Sequence, residues 1–483
     1  MDLLLVEAQT ADNTKLDGES NTICHQVRDG KVFSRPAPSA KHDIVIVGGG
    51  VSGLSAAYFL REHDFLLLEK EPHWGGNAYA MEYDGMSYGT GSAFILDDEE
   101  AVWSLAKEIG MEFLPTKISD ATIVNGQWTP NTWGDGLDKL PYPASVREGF
   151  KKFKKEIVAI DVEKRAKELY SVPFSDLLKG YPAELTQWWD CYGTSTYGAN
   201  CADAAAGIAI LEAQDMANES RADDRYTWPG GLGAITRKLA DILTAQSPER
   251  MQSGATTVSV VPGKEDVQVT YMQGTELKTA SAKAVIMASP KFITRRIVDG
   301  LPDKQNEAMG KIRYIPYAVV NLIFDKPVYN RGFDTWCPGT AYTDVLVADW
   351  VLQQNKPGYK QKHNILTFYA PLFEEQRPAL LTDVGTKKVG ARVLRDFQKA
   401  LPDFNVDPVE VHIYRRGHPM YMSTPGLFTD VQPLARAAMD RVFFANTDSE
   451  GPESTTNEGI TAAKRAVKEV EARLAGKLVP VSG

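Results

Sequence analysis

Three glycines near the start of the chain have the spacing of a phosphate-binding loop. Gly48, Gly50 and Gly53 follow the pattern G-x-G-x-x-G directly after an apolar run. The first glycine permits a sharp turn, the second lets the backbone approach a pyrophosphate, and the third lets the next helix pack on the strand. Glu69 follows Gly48 by 21 residues, the separation at which an acid binds ribose hydroxyls. Because Lys70 follows and no arginine stands beside the acid, a free ribose is favoured over a 2′-phosphate.

These glycines can act on a phosphate only between a strand and a helix. Residues 44–47 are β-branched and apolar, which is typical of a buried parallel strand. Residues 54–60 predict a helix whose free N–H groups, with those of Val51 and Ser52, face the phosphates. A second apolar run at 65–68 predicts the strand that carries the acid. A tight turn in another α/β protein would explain the glycines but not this acid.

Two more segments expose the backbone after the first loop. Gly75 and Gly76 permit a second close approach to a phosphate, with Asn77 beside them. Gly91 and Ser92 belong to a further stretch of small residues. A long, extended cofactor needs several such segments, and FAD needs more of them than NAD does. The sequence therefore predicts FAD.

The end of the chain contains another strand, polar loop and helix. Residues 441–446 predict the strand, and a helix is predicted from Ser454 to Leu474. Ser454, Thr455 and Thr456 stand where this helix begins, and a helix N-terminus is positively polarised. This corner is predicted to bind an anion or the polar edge of a cofactor.

Composition limits the classes of protein to be considered. The chain has 483 residues, enough for two or three domains, and its formal charge of −10 disfavours nonspecific binding to nucleic acid. No apolar run of about 18 residues lies outside the glycine-broken unit, so no membrane span is predicted. The opening residues MDLLLVEAQT lack the basic region of a secretory signal. The four cysteines form no C-x-x-C pair, which predicts free thiols, a cytoplasmic location and no metal site.

These segments together resemble the FAD-dependent amine oxidase superfamily, a group with a two-domain flavin fold. The resemblance covers residues 43–96, 225–300 and 440–475. It implies that FAD is bound without a covalent link, because the C-terminal motif contains no cysteine. A closer resemblance is to the bacterial spermidine dehydrogenase-like branch, through the segments CHQVRDG, WGGNAY, YRRGHPMYMSTPG and FFANTDSEG. The substrates of that branch vary, so the resemblance does not fix a substrate.

The resemblance also implies individual cofactor contacts. Val258 would meet the adenine through its backbone, Ala288 would end the returning strand, and Asp448 would contact the ribitol and phosphates. Family members usually carry arginines around the second glycine pair, where this chain has His73 and Asn77. The predicted cofactor-binding residues are Gly48, Gly50, Val51, Ser52, Gly53, Glu69, Lys70, Gly75, Gly76, Asn77, Gly91, Ser92, Val258, Ala288, Asp448, Ser454, Thr455 and Thr456.

The predicted substrate site departs from the family. Many amine oxidases carry a lysine near the flavin on the first strand of the substrate domain, but residues 317–321 contain none. The usual pair of C-terminal aromatic residues is also missing. The candidates for the pocket wall are Trp336, Trp350, Tyr421 and His418, of which His418 and Tyr421 are the candidate catalytic residues. His418 would act as a general base with a pKa near neutrality, or else be a structural histidine in a turn.

The predicted fold class is α/β, with a Rossmann-type FAD-binding domain and an inserted α+β substrate domain. The predicted boundaries are an N-terminal arm at 1–40, a FAD-binding domain at 41–97, 225–310 and 435–483, and a substrate-binding domain at 98–224 and 311–434. The arm is polar and predicted to lie irregularly on the surface.

The predicted function is FAD-dependent removal of a hydride from a small organic substrate, in the first place an amine. A desaturase or double-bond isomerase for an apolar lipid or terpenoid is the alternative, and a flavin-binding protein without catalysis is another. An NAD-dependent dehydrogenase is disfavoured by the C-terminal motif. Carboxylates in the pocket would favour a polyamine, whereas an entirely apolar tunnel would favour a lipid. The electron acceptor and the oligomeric state stay open.

Overall fold

A computed structural model of the chain describes residues 13–118, 120–217, 225–401, 404 and 406–477. The opening ten residues, in which no secretory signal is predicted, lie outside the described residues. So do the last six residues of the predicted FAD-binding domain.

The described strands form two large sheets and two small ones. In chain order the strands are β1 (Thr14–Gly18), β2 (Ala40–Val47), β3 (Phe65–Leu68), β4 (Ala80–Tyr83), β5 (Met86–Gly89), β6 (Ile95–Leu96), β7 (Leu114–Pro115), β8 (Ala121–Val124), β9 (Gln127–Pro130), β10 (Arg225–Thr227), β11 (Met251–Gln252), β12 (Ala255–Pro262), β13 (Val267–Gln273), β14 (Glu276–Met287), β15 (Tyr314–Phe324), β16 (Asp334–Trp336), β17 (Asp344–Val347), β18 (Asn364–Pro371), β19 (Glu410–Tyr421) and β20 (Val442–Phe444). The α-helices are α1 (Thr22–Arg28), α2 (Val51–Phe59), α3 (Glu100–Glu108), α4 (Ala144–Val158), α5 (Ala166–Leu169), α6 (Ala183–Thr196), α7 (Ala206–Ala217), α8 (Gly233–Gln246), α9 (Lys291–Ile297), α10 (Asp303–Lys311), α11 (Trp350–Asn355), α12 (Asp383–Ala400), α13 (Gln432–Ala435) and α14 (Thr456–Leu474).

The seven-stranded sheet carries the glycine loop. Its order is β11-β3-β2-β14-β13-β12, with β20 paired to β14. Strands β3, β2, β14 and β20 run parallel, while β12, β13 and β14 form an antiparallel meander. Parallel strands are covered on both faces, which is why residues 44–47 and 65–68 are apolar and buried without alternation. The carboxyl ends of these strands meet at one edge, where such sheets bind their ligands.

The eight-stranded sheet has the order β1-β19-β15-β18-β17-β16-β8-β9. Its central strand β15 is buried at every residue and pairs antiparallel with β18 and β19. Strand β1 pairs in parallel with β19, with Thr14 opposite Val411 and Gly18 opposite Arg415. The prediction that the arm is irregular is therefore wrong, because the arm contributes a sheet strand and the helix α1, although its described residues stay at the surface.

Helices cover the remaining faces of the two sheets. Helices α4, α6 and α7 pack around Trp188 and Trp189, which are fully buried in the larger hydrophobic core. Helix α14 packs against α2, so the end of the chain lies beside the first glycine loop. Within the described residues, no helix combines the length and the apolar character that crossing a bilayer requires.

One predicted strand is partly helical. The sequence predicts a strand over 345–351, but β17 ends at Val347 and α11 begins at Trp350. The carboxylate of Asp349 accepts a hydrogen bond from the Gln353 side chain at 3.0 Å, which ties the turn between the two elements. A side-chain contact of this kind is not visible in the apolar pattern that predicts the longer strand.

Gly53 fixes how closely α2 packs on the glycine loop. A Cβ atom built on Gly53 would lie 1.7 Å from the carbonyl oxygen of Gly48, which is backbone and cannot move aside. We expect Gly53→Ala to lose most of its bound FAD and to lower the unfolding temperature. Flavin absorbance per mole of protein and a thermal melt measure the two effects. Gly332→Ala is the matched control, because its Cβ would meet no heavy atom closer than 3.6 Å; equal losses in both variants would contradict the explanation.

Candidate active site

A cavity of about 530 Å³, here called the nucleotide cavity, lies along the glycine loop. Val47, Leu68 and Ala288 line it, so it opens at the carboxyl ends of β2, β3 and β14. Gly50 and Gly76 face each other, and a Cβ on Gly76 would lie only 2.9 Å from the Cα of Gly50. Bare backbone on both segments is what a bound pyrophosphate requires, so the cavity fits the nucleotide part of FAD.

Glu69 is buried in the wall of the nucleotide cavity. Its carboxylate accepts hydrogen bonds from the backbone N–H groups of Gly49 at 2.6 Å and Glu71 at 2.8 Å. Burial raises the pKa of Glu69, against the opposing effects of the Lys70 ammonium and these two donors. The bonds hold the carboxylate in place, and its remaining lone pairs can accept ribose hydroxyls.

The nucleotide cavity brings most of the predicted cofactor-binding residues together. Those that line it are Gly48, Gly50, Val51, Ser52, Glu69, Lys70, Gly75, Gly76, Asn77, Ser92, Ala288, Ser454, Thr455 and Thr456. Gly91 lines an adjoining cavity instead.

Two predicted residues lie behind the wall of the nucleotide cavity. Gly53 packs against the backbone of the glycine loop, as the G-x-G-x-x-G spacing predicts for the third glycine. Val258 is buried in β12, and the cavity is lined by residues 255–257 just before it. The register of β12 shifts between Thr257 and Ser259, so a count along the strand misses the lining position.

Asp448 differs more strongly from its prediction. Its side chain is fully buried and lines neither cavity; it pairs with the Lys291 ammonium at 2.6 Å and accepts from the Tyr314 hydroxyl at 2.6 Å. The same ammonium donates to the Ser449 hydroxyl at 2.6 Å. Burial lowers the pKa of Lys291, against the attraction of Asp448. The Asp448 carboxylate thus ties the loop after β20 to the start of α9.

A second cavity of about 580 Å³ adjoins the first and is rich in carboxyl groups; we call it the acid cavity. Among the described residues that line it, ten are acidic, two are arginines and none is a lysine. The acidic residues are Asp97, Asp98, Glu99, Asp120, Glu212, Asp215, Asp334, Asp344, Glu453 and Glu458.

The two cavities share one wall. Asn77, Ser92, Arg416 and residues 454–456 line both of them. The Arg416 guanidinium is buried and donates to the carbonyl oxygen of Thr90 at 3.2 Å and to its hydroxyl at 3.1 Å. A cofactor in the nucleotide cavity can meet a molecule in the acid cavity only along this shared wall.

Arg225 lies between two acids in the acid cavity. Its guanidinium forms paired hydrogen bonds with Asp120, which also accepts from Trp336 Nε1 at 3.0 Å. Asp334 Oδ2 lies 3.5 Å from the same guanidinium, yet neither oxygen of this fully buried carboxyl accepts a hydrogen bond. Burial and the nearby charges of Asp344 and Asp120 raise the pKa of Asp334 well above its ordinary value, against Arg225. Such a carboxyl lacks the donor that a cationic ligand would supply.

Two more acids in this cavity titrate near neutrality. Burial raises the pKa of Asp344 to about 7, although the hydroxyls of Thr343 and Ser195 donate to it. Burial also raises the pKa of Glu212 to about 7, against the hydrogen bond from Tyr192. Both groups can therefore gain or lose a proton when a charged molecule enters.

Aromatic rings form the other walls of the acid cavity. Tyr317 on β15 and Tyr369 on β18 meet edge to face, with ring centroids 6.0 Å apart. Tyr192 and Trp336 lie at 4.7 Å. The tyrosine pair comes from the large sheet, whereas the family's paired aromatic residues are expected in the C-terminal region. Tyr317 also begins the stretch in which the family's lysine is missing.

His418 does not lie where the prediction requires it. It lines the nucleotide cavity, stacked on Phe292 at 4.3 Å, and is not part of the acid cavity wall. Burial and the positive charge of Arg377 lower its pKa to about 3. The imidazole is therefore neutral at physiological pH and has almost no basicity, which contradicts a general base with a pKa near neutrality.

Tyr421 and Trp350 are structural in this fold. The Tyr421 hydroxyl is buried and donates to the backbone carbonyl of Gly451 at 3.1 Å. Trp350 Nε1 donates to the carbonyl of Thr116 at 2.8 Å. Neither residue lines a cavity described above, so of the four predicted wall residues only Trp336 lies in the acid cavity.

The sequence did contain a signal for the acid cavity. Asp334 and Asp344 each begin a strand whose residues are all buried. A charged residue at such a position needs a partner or a function. The arm residues that line the nucleotide cavity were also missed, because a polar segment far from the glycine loop gives no local indication of its contacts.

Comparison with known proteins agrees with this geometry. The model of the family described as flavin containing amine oxidoreductase matches residues 51–471. Oxidoreductase PigB of Serratia sp. is 22% identical over 90% of this chain and 78% of its own. Flavin-containing amine oxidase A of Equus caballus is 22% identical over 89% of this chain and 84% of its own.

Solved structures share the fold. Putrescine oxidase bound to putrescine has a TM-score of 0.68 and 18% identity, covering 90% of this chain and 100% of that one. Cyclohexylamine oxidase from Brevibacterium oxydans has a TM-score of 0.69 and 17% identity, covering 90% and 99%. The prediction of an α/β, two-domain flavin fold is confirmed.

The buried pair of Lys291 and Asp448 generates a prediction about stability. Lys291→Met leaves a buried carboxylate without its counter-charge, and we expect it to cost about 3–5 kcal/mol in the free energy of unfolding. Adding Asp448→Asn should recover most of that loss, because Asn carries no charge and still accepts from Tyr314. Urea unfolding measures both.

Lys283→Met is the control for a lost ion pair, since Lys283 and Asp43 form a pair at 2.6 Å that is largely exposed. Exposed pairs contribute only about 0–1 kcal/mol. A single Lys291 variant as stable as this control would contradict the structural role of the pair.

Proposed function

Because the chain belongs to the family of flavin-containing amine oxidoreductases, we propose that its substrates are linear diamines or polyamines. The chain is a FAD-dependent oxidoreductase that acts on amines, and FAD is held without a covalent bond. The proposal concerns the class of amine. Its single carrying observation is the acid cavity, in which ten carboxyl groups stand against two arginines.

The charge of this cavity favours a molecule with more than one ammonium group. Buried carboxyl groups are costly unless a counter-charge accompanies them, and a polyamine brings several. Asp334, neither of whose oxygens accepts a hydrogen bond, and Asp344, whose pKa is about 7, suit an ammonium that is not the reacting one. An apolar lipid or terpenoid would leave these groups without partners, which speaks against a desaturase or double-bond isomerase.

The side chains of this cavity have three tasks in such a reaction. Asp334 and Asp344 bind and position the distant ammonium, and Arg225 holds the Asp120 carboxylate in its orientation. Tyr317 and Tyr369 exclude water from the carbon chain of the substrate. Bound FAD supplies the acceptor for the hydride that leaves the carbon beside the reacting nitrogen.

The cofactor contacts belong to the same proposal. The backbone of the glycine loop and the start of α2 would bind the pyrophosphate, and Glu69 the adenosine ribose. The start of α14 at Ser454 to Thr456, in the wall shared by both cavities, would place a positive dipole end beside the flavin ring.

We also propose the domain limits and a cytoplasmic location. All strands of the seven-stranded sheet, apart from Ala40, fall within 41–97, 225–310 and 435–483. The eight-stranded sheet is built from 98–224 and 311–434, with β1 added from the arm. The four cysteines are free thiols, which suits a reducing compartment.

Anaerobic titration of the flavin absorbance tests the substrate class. We expect putrescine and spermidine to bleach the flavin bands at concentrations about 10–100-fold lower than butylamine requires, because one buried charge contact contributes about 1.5–3 kcal/mol. Asp334→Asn should remove most of this advantage while leaving the reaction with butylamine nearly unchanged. Its unfolding temperature should change little, because asparagine has nearly the same volume and Arg225 keeps its paired hydrogen bonds to Asp120.

Asp325→Asn is the matched control, because Asp325 is exposed and lines neither cavity. Equal responses to butylamine and putrescine would overturn the proposal. An unsaturated lipid that changes its own absorbance, while no amine bleaches the flavin, would support isomerisation instead.

The pH dependence of substrate preference gives a second test. Below pH 7 Asp344 and Glu212 are largely protonated, and above pH 7 they ionise, so attraction for a distant ammonium grows as pH rises. We expect the affinity ratio of putrescine to butylamine to rise by up to about tenfold from pH 6 to pH 8. Both amines must lose a proton from the reacting nitrogen, and the pH dependence of that step largely cancels in the ratio of their affinities. The Asp344→Asn variant should flatten the curve, and a ratio that falls with pH would contradict the charge argument.

A further inference from the structure

Part of the arm forms one side of the nucleotide cavity, and the glycine fingerprint does not account for it. The arm residues that line the cavity are Glu19, Ser20, Asn21, Cys24, His25 and Arg28. The family match begins at residue 51, so this wall is an addition to the part of the chain that matches. We call residues 19–28 the arm segment.

The arm segment is anchored on both sides of the cavity. Strand β1 before it pairs with β19, and the Glu19 carboxylate accepts from the backbone N–H of Gly417 at 3.1 Å. Helix α1 packs against α9 and β12, and β12 carries cavity-lining residues 255–257. The segment therefore crosses from the eight-stranded sheet to the nucleotide-binding sheet.

Hydrogen bonds of Ser20 and Lys70 to the Glu71 carboxylate, here called the joint, fasten the arm segment beside Glu69, the acid predicted to bind the ribose. Ser20 donates its backbone N–H to one oxygen of Glu71 at 2.8 Å and its hydroxyl to the other at 2.7 Å. Lys70 Nζ bonds the same carboxylate and lies 3.4 Å from the Ser20 carbonyl oxygen. Burial alone would raise the pKa of Glu71, but Lys70 and Ser20 outweigh it and hold the pKa below its usual value. Glu71 in turn donates its N–H to Glu69, so the joint and the ribose site are one network.

We propose that the arm segment binds the adenosine half of FAD and slows the release of the cofactor. A nucleotide with its ribose at Glu69 and its base beside residues 255–257 is enclosed on its remaining side by α1. The nucleotide can leave only after the joint between Ser20 and Glu71 has opened. This role goes beyond amine oxidation and is independent of the substrate.

Ser20→Ala tests the joint with little disturbance, because Ser20 lies on the surface and its backbone bond to Glu71 remains. We expect the rate constant for FAD release to rise about tenfold, the usual effect of losing a hydrogen bond to a charged partner. The increase of flavin fluorescence after dilution of the holoprotein measures this rate. Ser39→Ala is the matched control, since Ser39 is an exposed arm residue outside both cavities.

Cys24 offers a measurement on the unaltered protein. It lines the cavity and is partly exposed, whereas Cys191, Cys201 and Cys337 are buried. With FAD bound, alkylation of Cys24 by iodoacetamide, followed by mass spectrometry at pH 8.5, should be at least about tenfold slower than in the apoprotein. The three buried thiols should stay unmodified in both forms, which verifies that the apoprotein is folded.

Equal FAD release from Ser20→Ala, Ser39→Ala and the parent protein would overturn the proposal. So would alkylation of Cys24 at a rate that FAD does not change. Neither measurement uses an amine, so a protein that retains FAD in this way but oxidises no polyamine would separate this inference from the proposed function.

Discussion

The acid cavity depends on one electrostatic constraint: carboxyl groups are removed from water with too few cations to neutralise them. Arg225 serves Asp120 and Asp334 together, and Asp344 has only hydroxyl donors. Burial disfavours the charged form and raises the pKa of Asp334 and of Asp344, so these two carboxyl groups keep protons at pH values at which they would lose them in water. A cation that enters restores the balance and displaces those protons. The strands β15, β16, β17 and β18 hold the acids in position, because their backbone hydrogen bonds leave them little freedom to separate.

The two cavities share a wall but carry opposite excess charge on the side chains that line them. The nucleotide cavity is lined by five cationic side chains and three carboxyl groups, which suits a diphosphate. The acid cavity, in contrast, is lined by more carboxyl groups than cationic side chains. Arg416 stands in the wall between them and is bonded to Thr90, so its position does not depend on either ligand. An anionic cofactor and a cationic substrate are thereby directed to different sides of the same wall.

The sequence predicts the parts of this arrangement that depend on local chemistry. Residues within about 30 positions along the chain are enough to predict three features. These are the glycine loop, the acid after β3 and the helix after β20. The role of His418 was predicted from its residue type and that of Asp448 from the family resemblance, but neither basis shows the contacts with Phe292 and Lys291. Asp120 lies beside Asp334 only because β8, far earlier in the chain, pairs with β16. The pairing register of two strands that are distant in sequence cannot be inferred from the residues of either strand alone.

The pairing of β1 with β19 also constrains the order of folding. About 400 residues separate Gly18 from its partner Arg415, so this contact has one of the longest loops that the chain can close. At about 5–20 residues per second, a ribosome needs roughly 20–80 seconds to make the partner strand after β1 has emerged. During that interval β1 has no partner strand, because the strand order of the eight-stranded sheet places it beside β19 alone. The earliest-made strand of the described chain is therefore among the last to reach its final place, and the wall that the arm segment gives to the nucleotide cavity is completed with it.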